Sequence, residues 1–180
     1  MTRMAEFIPV IALAIAPAAH GKLLPDAETL AACFALADWT LHAGEALRKG
    51  VSEKQHLRAE EQEAGSPLEK RRAAIGAVYR DRPGDLSDYI AAKLGACLRA
   101  TGADMGDLMA KGCYDRTLWA GTFFASRRRG DPLERLVEWY GRDAAYGGAH
   151  LASIARAVYS TDKSEPVFRR DQFADCVLAR

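Results

Sequence analysis

LAACFALADWTLHAGEALRKG, residues 30–50, decides the fold. The stretch is rich in Ala and Leu and contains no Val, Ile or Pro. That is the composition of a helix. Asp26, just after Pro25, is placed to cap its start, and Gly50, preceded by Arg48 and Lys49, is placed to end it. The same features return in CYDRTLWAGTFFASRRRG, residues 113–130. Cys33 and Cys113, Trp39 and Trp119, Arg48 and Arg128, and Gly50 and Gly130 are all 80 residues apart. Ala77-Val78-Tyr79 and Ala157-Val158-Tyr159 keep the same spacing, while Cys97 and Cys176 are one residue short of it. The chain has only three Trp and four Cys, so the shared register of these rare residues points to one unit used twice.

Working outward, Ala stays abundant, and strand-like alternation is nearly absent. The expected fold is all-α, with two tandem helical units, each closed by one disulfide. Unit 1 covers residues 22–100, a linker covers 101–106, and unit 2 covers 107–180. In unit 1 a second, polar helix begins at a capping box formed by Ser52 and Gln55. A third runs from about Leu68 to Arg80, and a fourth, capped by Asp85 or Ser87, carries Cys97. Unit 2 repeats the plan. Its first helix runs to Arg129, and Asp131-Pro132 supplies an N-cap and a Pro in the first turn of the next. Gly147-Gly148 precedes a helix ending near Tyr159, and the last helix carries Cys176. Tyr79 and Tyr159 are read as core positions whose hydroxyls reach the surface. Trp39 and Trp119 lie about 120° around the helix from the cysteines. They therefore call for a wide buried face or for packing between the units, and wide burial is the preferred expectation.

Residues 1–21 resemble a secretory signal. Arg3 precedes an uncharged apolar run, Ile8 to Ala16, and small residues follow, with cleavage expected near Ala18 or Gly21. The run is too short to span a bilayer, and no second run of membrane length follows. The expected location is the periplasm or the exterior of the cell. Four cysteines in an exported chain read as two disulfides. The repeat favours Cys33 with Cys97 and Cys113 with Cys176. The alternative links equivalent positions, Cys33 with Cys113 and Cys97 with Cys176.

The chain has 25 basic and 24 acidic residues, a balance that gives no support for a nucleic-acid partner. No C-x-x-C, phosphate-binding loop or dinucleotide fingerprint occurs, so no cofactor is implied. Glu53 and His56 form an E-x-x-H pair, but a di-iron site needs a second such pair, and Leu136 stands where its histidine would be. No metal is expected, and the helix carrying His56 reads as an exposed polar one. His42 and Glu45 share a helix face without making a site, and His150 reads as a solvated helix-start residue.

Two features point to a partner. Arg127, Arg128 and Arg129 form a basic run suited to an acidic partner or anionic headgroups, with Lys70-Arg71-Arg72 as a second such run. Trp139 and Tyr140 form an aromatic pair suited to anchoring another protein. The spacing of Cys, Arg-x-Gly, Val-Tyr and Cys loosely resembles small exported helical proteins of Gram-negative bacteria, and it carries no catalytic residue. The expected function is a non-enzymatic binding module acting on another envelope protein as an inhibitor, immunity factor or chaperone-like partner. The competing expectation is an enzyme or small-ligand carrier with a site between the units, its acids drawn from Asp38, Glu45 or Asp115.

Overall fold

The computed structural model describes residues 25–62, 68–103, 105–142 and 147–179. The expected signal peptide lies outside the described residues. The fold is all-helical, with no strand among the described residues. Its elements are α1 (Ala27–Arg48), α2 (Glu53–Gln62), α3 (Leu68–Asp81), α4 (Leu86–Ala100), α5 (Asp107–Arg129), α6 (Leu133–Gly141), α7 (Gly148–Ser160) and α8 (Glu165–Leu178).

Local chemistry sets most of the ends. The Asp26 carboxylate accepts the Thr29 N–H at 2.7 Å, satisfying an orphan donor of the first turn of α1. Ser52 and Gln55 hydrogen-bond reciprocally ahead of α2, and Asp85 accepts the N–H groups of Ser87 and Asp88 at the start of α4. Gly50 and Gly130 both adopt positive φ, 76° and 80°, which a side chain would penalise. The expected cap at Asp131 is corrected. Its carboxylate pairs with Arg129 at 2.9 Å, and Pro132 stands at the N-cap position. A charge-assisted bond to the neighbouring guanidinium holds the acid that would otherwise cap.

α3 and α4 both pack along α1, α5 does the same for α7 and α8, and α2 and α6 lie on α3 and α7. The two halves meet where α4 packs on α5 and α8 packs on α1. That junction holds the largest core. Leu30, Cys33 and Phe34 of α1 and Leu94 and Leu98 of α4 pack with Cys113 and Tyr114 of α5 and Phe173 and Cys176 of α8. The Phe34 ring sits between Tyr114 and Phe173, with centroids at 6.0 and 5.6 Å. Smaller cores lie distally, one on Ala43, Ile75 and Val78, the other on Phe123, Phe124, Leu151, Ile154 and Val158.

Of the three pairings open to four cysteines, the structure has the favoured one, Cys33–Cys97 and Cys113–Cys176. Each bond joins the start of a long helix to the end of an antiparallel one. Trp39 and Trp119 each pack within their own half. Trp39 lies beneath the Arg71 guanidinium, 5.6 Å from ring centroid to Cζ, and Trp119 lies against Phe123 and Tyr140. Gly148 allows α7 to touch the end of α6, because a Cβ there would lie 2.6 Å from the Gly141 carbonyl oxygen.

His56 is not on an exposed face. It is only 7 % exposed, and its ring meets the edge of Tyr79. The Tyr79 hydroxyl donates to the Val51 carbonyl at 3.0 Å, and His56 Nδ1 lies 3.4 Å from the same hydroxyl. Nε2 faces Glu60, which is itself bound by Arg71 at 2.7 Å. A chain of polar partners thus draws α2 down onto α3, which the hydropathy of α2 does not foretell.

Candidate functional site

The acids that the competing reading draws on, Asp38, Glu45 or Asp115, do not converge on one site. Asp38, on α1, faces α5 and α8. Its Oδ1 accepts the Tyr114 hydroxyl at 2.6 Å and Arg169 Nη2 at 2.7 Å. Arg169 also donates through Nε to the Thr117 carbonyl, and its guanidinium lies over the Phe34 ring. Burial, reinforced by the Asp38 carboxylate, pushes the Tyr114 hydroxyl far above the usual phenol range. Tyr114 is therefore a hydrogen-bond donor here and no proton acceptor. Asp38 has its charge matched by Arg169 and its Oδ1 engaged by two donors, the arrangement of a structural ion pair.

A cleft of about 300 Å³ does lie between the halves, where α1, the start of α4 and α5 meet. Of the three acids, only Asp115 lines it, and Asp115 forms an ion pair with Lys111. Arg48 and Asp85 add one charge of each sign. Glu45 is half-buried on α1 and does not line the cleft. Among the described residues, no group of three or more His, Cys, Asp or Glu could hold a metal ion.

The arginine run is engaged within the chain. Arg127 donates to the carbonyls of Val158 and Thr161, both at 2.8 Å, closing the C-terminal end of α7. Arg128 pairs with Glu165, and Arg129 with Asp131. In the second basic run, Arg71 and Arg72 pair with Glu60 and Glu61.

The aromatic pair is differently placed. Trp139 is 67 % exposed, with its ring stacked on Tyr140 at 6.1 Å. Tyr140 is rooted edge-on against Trp119 and Phe123, at 5.5 and 5.3 Å. An exposed indole thus rests on an aromatic column that continues into the distal core of the second half.

Two further troughs lie on the surface of the described residues. α3 and α4 both lie on α1 and make few contacts with each other, leaving a trough of about 410 Å³ between them. Its floor and walls are Ala32, Leu36, Trp39, Ala73, Ala77 and Tyr89, with Lys70 and Lys93 at its edges. α7 and α8 leave a trough of about 430 Å³ in the same way, lined by Arg116, His150, Ala157, Phe168, Gln172 and Asp175. Tyr89 and Lys93 carried no signal in the sequence. Setting the halves side by side, residue by residue, would have drawn attention to the contrast between Leu36 and Arg116. No family model, curated protein or solved structure matches the chain.

Proposed function

We propose that this chain is an exported, non-enzymatic protein-binding module of the cell envelope, made by duplication of a helical unit. On this reading residues 22–100 and 107–180 are the two copies, residues 101–106 join them, and the leader directs the chain to the periplasm or beyond. The duplication is supported by helix starts that keep the spacing of the rare residues: 27 and 107, 53 and 133, 68 and 148, then 86 and 165. Tyr79 donates to the carbonyl of residue 51 and Tyr159 to that of residue 131. The packing of α4 on α5 and of α8 on α1 then joins equivalent helices, more extensively in the first case, in the topology of a twofold dimer fused into one chain. Export is supported by two disulfides and the absence of a thiol among the cysteines. No described helix is long and apolar enough to cross a membrane.

Binding is carried by one observation, the exposed Trp139 ring held by Tyr140. An indole braced from behind loses little freedom on docking and offers a large apolar face. Such residues dominate the energetics of protein interfaces. Inhibitor, immunity and chaperone-like roles all use a surface of this kind. Of the three acids the enzyme alternative draws on, only Asp115 lines the inter-half cleft. The test is capture from an envelope extract of the source cell by oxidised, tagged protein, with Trp139→Ala run in parallel. A partner retained by the wild type and lost at least about tenfold with the variant supports the reading. Equal capture by both proteins, or none by either, rejects it.

A further inference from the structure

We propose that the trough between α3 and α4 is a binding site for a single-chain amphiphile with an anionic head. This proposal is independent of the Trp139 surface. It begins with the shape of the trough. The lining follows α1 from Ala32 to Thr40, eight residue steps or about 12 Å. The alanines Ala73 and Ala77 let an apolar chain lie close to the backbone of α3, while Leu36, Trp39 and Tyr89 supply larger apolar surface. A volume of about 410 Å³ falls within the range of small-ligand sites.

Charge selects the head group. Lys70 stands at the α3 edge and Lys93 at the α4 edge, and no carboxylate lines the trough. No acceptor lies within ion-pair distance of Lys70 among the described residues. Lys93 sits 4.9 Å above the Tyr89 ring and 3.9 Å from Asp81, a carboxylate that already accepts the Tyr89 hydroxyl at 2.7 Å. An apolar floor between two ammonium groups is complementary to an alkyl chain ending in carboxylate or phosphate.

The second half shows that the scaffold does not impose this surface. At the corresponding place between α7 and α8, Arg116 stands for Leu36, His150 for Lys70 and Gln172 for Lys93. Asp171, Asp175 and Lys163 make that trough polar and mixed in charge. The same helical arrangement therefore tolerates a polar lining. The exposed apolar lining of the first trough has a cost in water that folding alone does not require.

Calorimetric titration of the oxidised protein with decanoate, decyl phosphate and decyltrimethylammonium tests the site. Saturable one-to-one binding of either anion, at least about tenfold tighter than the cation, is expected. The tighter of the two anions identifies the head as carboxylate or phosphate. Lys70→Glu combined with Lys93→Glu should weaken anion binding at least about tenfold. Ala77→Phe should abolish binding, and Ala157→Phe, in the second trough, should leave it intact. Circular dichroism melting checks that each variant folds. Should Ala77→Phe fail to fold, the lysine pair, which lies at the edges, decides alone. Failure of both anions to saturate, equal binding of the cation, or equal loss in Ala157→Phe overturns the proposal. None of these outcomes alters partner capture through Trp139, so the two readings fail separately.

Discussion

Tyr114 of α5 donates its hydroxyl to Oδ1 of Asp38 on α1 across 2.6 Å, and the same oxygen receives Arg169 of α8. One carboxylate oxygen thus ties together three helices that meet at the junction of the halves. Asp38 and Arg169 are each less than one-fifth exposed, so breaking the set strands a partly buried charge. Asp38→Asn should destabilise the protein by about 2–3 kcal/mol, because Arg169 loses its counter-charge. Tyr114→Phe leaves the ion pair and should cost about 1 kcal/mol. Urea unfolding of the oxidised protein measures both, and the order of the two costs is the informative result.

The Cys33–Cys97 bond closes 64 residues of chain. Replacing both cysteines by Ala should lower stability by about 4 kcal/mol on the loop-entropy model. The Cys113–Cys176 bond closes 63 residues, so its removal should cost nearly the same. Equilibrium unfolding of the two double variants checks this. A large inequality between them would mean that one half retains structure when its staple is cut.

Tyr79 and Tyr159 bond the carbonyls of Val51 and Asp131 at 3.0 and 2.6 Å. Tyr79→Phe and Tyr159→Phe should each cost about 1 kcal/mol, and the double variant should cost their sum. Urea midpoints at constant slope provide the measurement. Tyr79→Phe should also loosen α2, since the same hydroxyl faces His56, and amide exchange over residues 53–61 should rise.

The Tyr89 hydroxyl donates to Asp81, and the two groups shift in opposite directions. The bond holds the Asp81 carboxyl below its ordinary range, and burial followed by the Asp81 bond pushes the Tyr89 phenol up to about 12. For the acid, the folded value lies below the unfolded one. Its contribution is therefore present above about pH 4 and is lost as pH falls through the lowered value. For the phenol, the folded value lies above the unfolded one. Its contribution is present below about pH 10 and is lost as pH rises from there to about 12. The stability difference between wild type and Tyr89→Phe should be flat from about pH 5 to 9 and shrink on both sides. A series of urea unfolding curves across pH measures it.

Much of this architecture was legible along the chain because its causes are short-ranged. Asp26, the Ser52–Gln55 pair and Gly130 act on groups within three or four residues, so sequence patterns report them directly. Asp131 misled for a reason just as local, because Arg129, two residues away, competes for its carboxylate. His56 was illegible. Its burial depends on Tyr79, 23 residues further on, and on Arg71 holding Glu60.

By itself the sequence determined the helices, most of their caps and stops, and the cysteine register, since backbone hydrogen bonding and side-chain capping depend on near neighbours. Only the tertiary structure decided that Asp38 would be met by residues 76 and 131 positions away. It also decided that Arg127 to Arg129 would each meet an acceptor within the chain, that Trp139 would face water, and that α3 and α4 would part over α1. A helix exposes several faces, and periodicity does not say which neighbour will cover each. That choice is made when the helices pack, through the joint shape and charge of side chains far apart along the chain.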